Sequence, residues 1–126
     1  MSRLLASRAV ILAAFDAASI AHATTGKWSG PCVLIEPGDP WAGVELSLGA
    51  KRTGRWRLTL IAARADSAGA LEILADFVDT VDVALLTVAG LQLPTWTRPF
   101  DTDYGGAKYA ATTATIQLIT PSPQEV

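Results

Sequence analysis

Two rhythms of hydrophobic and polar positions divide this chain. From Trp56 to Ile61 the period is two: Trp56, Leu58 and Leu60 face one way, Arg57 and Thr59 the other, which predicts a strand over 56–64. From Ser67 to Val88 the period lengthens. Leu71, Leu74, Val78, Val81, Leu85 and Val88 recur every three or four residues, the stripe of a long amphipathic helix. Asp66 or Ser67 is expected to cap its start and Gly90 to stop its end. Period two returns from Tyr109 to Ile119, with Ala110, Thr112, Ala114, Ile116 and Leu118 on one face and mostly threonine on the other. Pro121 and Pro123 end that strand, and 121–126 read as a loose tail.

The remaining elements are shorter or interrupted. Leu4, Leu5, Ile11, Leu12 and Phe15 form the inner side of a first helix over Ser2–Ile20, with Ser2 as its cap. Its Arg3, Arg8 and the run Ala9–Phe15 mimic a secretory leader, but Asp16 ends the run after seven residues. Thr24-Thr25-Gly26 breaks the chain, and Cys32–Ile35 is a strand bounded by Pro31 and Pro37. Pro37-Gly38-Asp39-Pro40 has the chemistry of a turn. Residues 41–55 alternate at Val44, Leu46 and Leu48 but carry Gly43, Gly49 and Gly54, so they read as an arm or hairpin. Pro94 and Pro99 confine Thr95–Phe100 to an edge strand, and Asp103-Tyr104-Gly105-Gly106 is a second turn.

This order predicts one domain over 1–126 in the α+β class: a mostly antiparallel four-stranded sheet with two helices on one face, plus the extended arm or hairpin. The other face would show Arg57, Thr59, Thr113, Thr115 and Gln117. With 126 residues, half of them hydrophobic, the chain is long enough for a single core without staples. No apolar run approaches the ~20 residues needed to span a bilayer, so a soluble protein without a membrane partner is expected.

Charge changes the picture more than composition does. Net charge is only −2, but it is segregated. Lys51, Arg52, Arg55, Arg57 and Arg64 come without an acid among them, and then Asp66, Glu72, Asp76, Asp79 and Asp82 without a base. Such blocks either pair within one subunit or between copies. Pairing between copies is head-to-tail and generates a ring when the rotation closes. Trp41 and Trp96 lie in Pro/Gly-rich connections, where aromatic residues anchor interfaces or cover the monomer's own core.

Catalytic material is sparse, and no enzyme, cofactor or metal is expected. His22 is the single histidine and Cys32 the single cysteine, so a nucleophile–base arrangement would have to use that pair or a stray serine. Glu72, Asp76 and Asp79, at helical spacing on an outer face, fit a solvated surface better than a metal cluster. Lys51–Arg57 around Trp56 would suit nucleic acid only if the indole were exposed.

The order of a first helix, a strand ending Glu36-Pro37-Gly38-Asp39-Pro40-Trp41, the strand 56–61, and Arg64-Ala65-Asp66-Ser67 opening a long helix resembles the tail terminator proteins of long-tailed, non-contractile bacteriophages. Asp103-Tyr104-Gly105-Gly106, Lys108-Tyr109 and the threonine-rich last strand are similar to the end of those proteins. The likeness covers most of the chain. It implies a homo-hexameric ring seated on the last ring of the tail tube, at the head–tail junction of a virion assembled in the host cytoplasm. The ring would stop tube growth, meet the tube protein and the head-completion or stopper protein, and pass viral DNA through its lumen with transient, non-specific contact. The threonine-rich sheet face and the arm at 41–55 would be contact regions. The interface candidates are thus Trp41, Lys51, Arg52, Arg55, Arg57, Glu72, Asp76, Asp79, Trp96 and Tyr104. Alternatives are a head-completion or stopper protein of the neck, a ligand-binding module with a pocket lined by Trp41, Trp96 and Tyr104, or a DNA-binding accessory protein.

Overall fold

The computed structural model describes residues 3–23, 31–45, 51–89, 91, 94–104 and 106–120, the side chains of 3, 43–45, 51–52, 104 and 119–120 excepted. In chain order the elements are α1 (Arg3–Ala17), β1 (His22–Ala23), β2 (Cys32–Glu45), β3 (Lys51–Arg64), α2 (Ala70–Leu85), β4 (Phe100–Tyr104) and β5 (Ala107–Thr120). The strands form one five-stranded sheet in the order β1-β2-β3-β5-β4. All neighbours are antiparallel except β1 and β2, which run parallel. The expected α+β class holds; the strand count and pairing need correcting. β1 is two residues long, too short to leave a periodic pattern, and it converts an antiparallel sheet into a mixed one.

Both helices lie on one face of the sheet, because one core joins them to it. Ile11 and Phe15 of α1 and Leu74, Val81 and Leu85 of α2 pack with Val33, Ile35, Trp56, Leu58, Leu60 and Ile116. Burying each such side chain is worth about 1.5–3 kcal/mol. Trp56 is the hub. Its Nε1–H donates to Ser7 Oγ at 2.9 Å, and the Ser7 hydroxyl donates to the Leu4 carbonyl at 2.6 Å. The Arg8 guanidinium lies 5.7 Å from the ring centre, and Trp41 meets it edge-on at 5.7 Å. The alternations expected in β3 and β5 are observed: Trp56, Leu58, Leu60, Ala110, Thr112, Ala114, Ile116 and Leu118 are all buried.

β2 and β3 pair as antiparallel neighbours, so of the arm or hairpin expected at 41–55 the described parts, 41–45 and 51–55, belong to the sheet and 46–50 lie outside the described residues: Ala42 pairs with Gly54 and Glu45 with Lys51, while Arg52 also pairs with Thr120 of β5. The expected turn at Pro37–Pro40 is instead an irregularity inside β2, where the register shifts between Pro37 and Ala42. The Asp39–Pro40 bond is cis. The extra residues pass so close to β3 that a Cβ at Gly38 would stand 3.0 Å from the Arg55 carbonyl group, which only glycine avoids. Strand position explains why Pro37 is tolerated. Val33 N–H donates outward to the Ala21 carbonyl, so by alternation Ile35 and Pro37 also turn their nitrogens away from β3. Pro37 therefore forfeits no ladder bond, and β1 does not extend past Leu34 to need one.

Three further expectations about the helices change. α2 begins at Ala70, with Gly69 at the cap position (φ 74°) and no side-chain cap bond, so neither Asp66 nor Ser67 caps it. Leu71 is 61% exposed, although the stripe includes it. The row against the sheet is Leu74, Val81 and Leu85, flanked by Phe77 and Ala84, and Leu71 lies beyond its edge. In α1 Leu5 is exposed, since Ile11 and Phe15 set the inner side and Leu5 falls off it. The expected caps or stops at Ser2, Gly26 and Gly90, and the tail at 121–126, lie outside the described residues.

Candidate functional site

The sheet face turned away from the helices is built from the alternate residues of the same strands. At one end it holds a second buried cluster of Cys32, Leu34, Ile61 and Ala111, with Ala23 and Tyr109 packed against it. At the other end it is polar: Glu36, Arg55, Arg57, Thr115 and Gln117, placed there by the pairings Glu36–Arg57, Arg57–Thr115 and Arg55–Gln117. Arg57 Nη2 donates to Glu36 Oε2 at 3.0 Å, with both side chains about half exposed, so this pair contributes little to stability. Lys51 and Arg52 stand at the start of β3, opposite Glu45 and Val44.

The acids are on the other side of the subunit. Glu72, Asp76 and Asp79 are exposed on α2, a helix without a basic residue in its sixteen. Among the described residues the ion pairs are Asp16–His22, Glu36–Arg57 and Arg64–Asp66, so Arg55, Glu72, Asp76 and Asp79 enter none. The pairing of strand arginines with helix acids inside one subunit is therefore not how Arg55 and Arg57 are used. The sheet and the helix layer separate the two signs.

Asp82, at the edge of the apolar stripe, does have a partner inside the subunit. Trp96 Nε1–H donates to Asp82 Oδ1 at 3.0 Å, and the indole packs against the main core. The Trp96 segment is tied in turn to β5: Thr97 N–H donates to the Thr113 carbonyl, and the Thr112 hydroxyl donates to the Thr97 carbonyl. Trp96 thus clamps α2 to the sheet edge and covers the monomer's own core, the second of the two readings its sequence position allows. It also walls a groove of about 240 Å³ with Leu71, Val78 and Pro99. Trp41 lies elsewhere, in the second half of β2, 40% exposed with its edge against Trp56. Trp41 lines neither of the two grooves found among the described residues, and Trp96 lines one of them. Tyr104 ends β4 beside the turn to β5, and its side chain lies outside the described residues.

The catalytic candidates separate in the same way. His22 Nε2 is 2.7 Å from Asp16 Oδ1 at the end of α1, and its ring leans on Phe15. His22 pairs in register with Val33, so by alternation Cys32 points to the opposite face and the two form no nucleophile–base couple. Burial pushes the Cys32 thiol up from its ordinary value of 9.0, which keeps it protonated. Trp56 is buried beneath α1 and gives nucleic acid no stacking platform. No group of three or more metal-ligating side chains occurs among the described residues, and no described helix is long and apolar enough to cross a membrane.

A third feature left no mark on the sequence reading. A groove of about 380 Å³ runs between the helices, lined by Ala14, Ala17 and Ala18 of α1 and Thr80, Val83, Ala84 and Thr87. Beside it Val83 and Leu86 are 65% and 63% exposed. The alanine-rich run 13–18 and the polar–apolar mixture at 79–87 are the only sequence signal for it. No family model matches this chain, and no curated protein matches it.

Proposed function

We propose that this chain is a structural subunit that assembles with copies of itself into a ring, the tail terminator at the head–tail joint of a long-tailed, non-contractile bacteriophage. The observation that carries the assembly step is the placement of opposite charge on opposite sides of one subunit, with Arg55 on the sheet and Glu72, Asp76 and Asp79 on α2 unpaired among the described residues. Opposite faces of opposite sign favour a head-to-tail contact, because a two-fold contact would set like against like. The sequence resemblance to tail terminators supplies the choice of ring: one that caps the tube, meets the neck proteins and lets DNA pass. The sheet makes a stiff wall for such a role, and His22 and Cys32 are used structurally.

Electron microscopy of the purified protein, and of particles made without it, tests this reading. Closed rings from the protein, with free tails of abnormal length when it is missing, are the expected results. Tails of normal length beside heads that leak DNA would assign the chain to the stopper instead. A monomer that forms no ring alone or on tubes would remove the reading.

A further inference from the structure

We propose that the groove beside Trp96 is a receptor for one arginine side chain, and that it holds Arg55 of a second copy of this chain, with the guanidinium between the Trp96 ring and the Asp79 carboxylate. This contact rests on the ring reading and names the two surfaces that meet in it.

The groove lies between α2 and the segment 94–99, with Leu71, Val78, Trp96 and Pro99 as walls. Its volume of about 240 Å³ is below the roughly 300–1,000 Å³ of small-molecule sites, so it suits one side chain better than a free ligand. Its polar groups are almost all committed. The Thr112 hydroxyl donates to the Thr97 carbonyl at 2.7 Å, the Thr97 hydroxyl accepts the Thr113 N–H at 3.1 Å, and Asp82 accepts the Trp96 N–H. Asp79 is the exception: it lines the groove, is exposed, and enters no ion pair among the described residues. An apolar slot with one free carboxylate is matched by a long apolar stem that ends in a cation. The aromatic wall selects arginine over lysine, because a guanidinium lies flat on an indole while its N–H groups reach a carboxylate. Asp82, bonded to the same indole, adds to the negative field. Glu72 stands two turns before Asp79 on the same side of α2, and the helix carries no base to offset either.

Elimination then selects the occupant. Among the arginines whose side chains are described, Arg8 lies over Trp56, Arg57 pairs with Glu36 and Arg64 with Asp66, which leaves Arg55 and Arg98. Arg98 sits between two residues of the groove wall without lining it. A second copy's Arg98 would enter only by a two-fold exchange, which brings the acidic row of one α2 toward that of the other. Arg55 avoids that conflict. It precedes the buried Trp56 on β3, so by alternation its side chain leaves the sheet on the face away from the helices, beside Arg57, Thr115 and Gln117. The sheet stands between it and the groove of its own subunit, so the groove it fills is another copy's. β2 passes so near that a Cβ at Gly38 would stand 3.1 Å from Arg55 Cβ, and this partial cover lowers the freedom lost when the side chain docks. With β3 laid along α2, Arg57 is about 6.8 Å from Arg55 and Glu72 about 10.5 Å from Asp79, which sets the second arginine among the remaining acids. Key and lock on opposite sides of one subunit make a head-to-tail contact, which each added copy repeats.

Sedimentation of the full chain over a concentration series is the test; if association requires the tail tube, rings formed on tubes are counted instead. Arg55→Glu and Asp79→Lys are each expected to weaken association by about thirtyfold or more. Mixed in equal amounts the two variants should regain it, because each then supplies the charge that the other lacks. Both changes in one chain should regain it as well. Arg55→Lys keeps the charge but loses the flat stack on Trp96, and should weaken association by about fivefold. Far-UV circular dichroism and the melting temperature check that each variant is folded. Should Arg55→Glu melt early, Arg55→Gln and Asp79→Lys carry the test, and both must weaken association. Recovery in the double variant but not in the mixture would place the pair within one subunit and overturn the proposal. Wild-type association in Arg55→Lys would overturn the groove as the receiving site. Dissociation by Arg98→Glu while Arg55→Glu keeps the wild-type mass would replace the contact with a two-fold exchange. Folded reversals that all retain the wild-type mass overturn this contact and leave the ring reading standing on another surface. A wild type that is monomeric at every concentration and forms no rings, alone or on tubes, overturns both.

Discussion

The two faces of the central sheet are made by the same strands and follow different rules. Under the helices, the residues from Trp56 to Leu60 and from Ala110 to Leu118 bury one alternate position after another along the whole length. On the opposite face burial stops midway: Ile61, Leu34 and Ala111 are buried, while Arg57, Thr115 and Gln117 are exposed. A continuous face needs only a period of two and a pair of amphipathic helices to cover it. The divided face shows that local chain packing covers one end, and that the polar end is left for solvent or another molecule. Where a face is half buried, its exposed half is the place to look for function.

Removing the hub of the continuous face should have the largest effect. Trp56→Ala takes away a fully buried ring that α1 touches through Ser7 and Arg8 and that Trp41 covers. The expected loss is about 3–5 kcal/mol in urea unfolding. Much of it should appear as weakened docking of α1, since the Ser7 hydroxyl would lose its indole donor while still bonding Leu4. A loss below about 1.5 kcal/mol would mean that α1 is held mainly elsewhere, through Ile11 and Phe15 against α2.

The second effect tests whether the divided face is truly divided. Ile61→Ala at the buried end should cost about 2–4 kcal/mol, close to the value for the helix-covered core. Thr115→Ala at the exposed end should stay within about 0.5 kcal/mol. Unfolding curves for the two variants check this directly. Equal costs would erase the distinction, and the polar end would lose its standing as a free surface.

How much of this was legible depended on whether a residue's role was local. The strand 56–64, the helix expected over 67–88 and found over Ala70–Leu85, and the strand 109–119 follow from periodicity, because each lies along one continuous core. The helix acids were placed correctly for the same reason. What failed was everything set by neighbours. Pro37–Pro40 has turn chemistry, but in an outward-facing stretch of β2 it makes an irregularity. For Trp96 the sequence leaves anchor and core cover open, and the choice is made by Asp82, fourteen residues earlier in the chain, which accepts its N–H. The buried cluster on the second face was hinted at by the unbroken run Cys32–Ile35, since a strand buried on both sides loses its alternation. His22 lies just past the first helix, in a two-residue parallel strand that carries too few positions to show a period. The charge segregation was plain in the sequence, but that its halves face opposite ways is a property of the fold.

The smallest expected effect belongs to the exposed end of the divided face, and it sharpens the comparison most. Arg57 and Glu36 face each other across β2 and β3 at 3.0 Å, with 52% and 44% of their side chains exposed. Solvent screens such a pair, and ordering two long side chains offsets part of the attraction. A double-mutant cycle of Glu36→Gln and Arg57→Gln should therefore give a coupling of about 0.2–1 kcal/mol, fading as ionic strength rises toward ~1 M. The measurement also separates two uses of Arg57. If the pair exists to hold β2 to β3, stability should move with salt while self-association does not. If Glu36 merely keeps Arg57 flat on the sheet until another copy approaches, Glu36→Gln should leave stability unchanged and strengthen self-association, since an arginine released from its own acid is freer to meet a neighbour's. A coupling above about 2 kcal/mol would show instead that the polar end is shielded from water within the single subunit, and the contrast between the two ends of this face would rest on the apolar cluster alone.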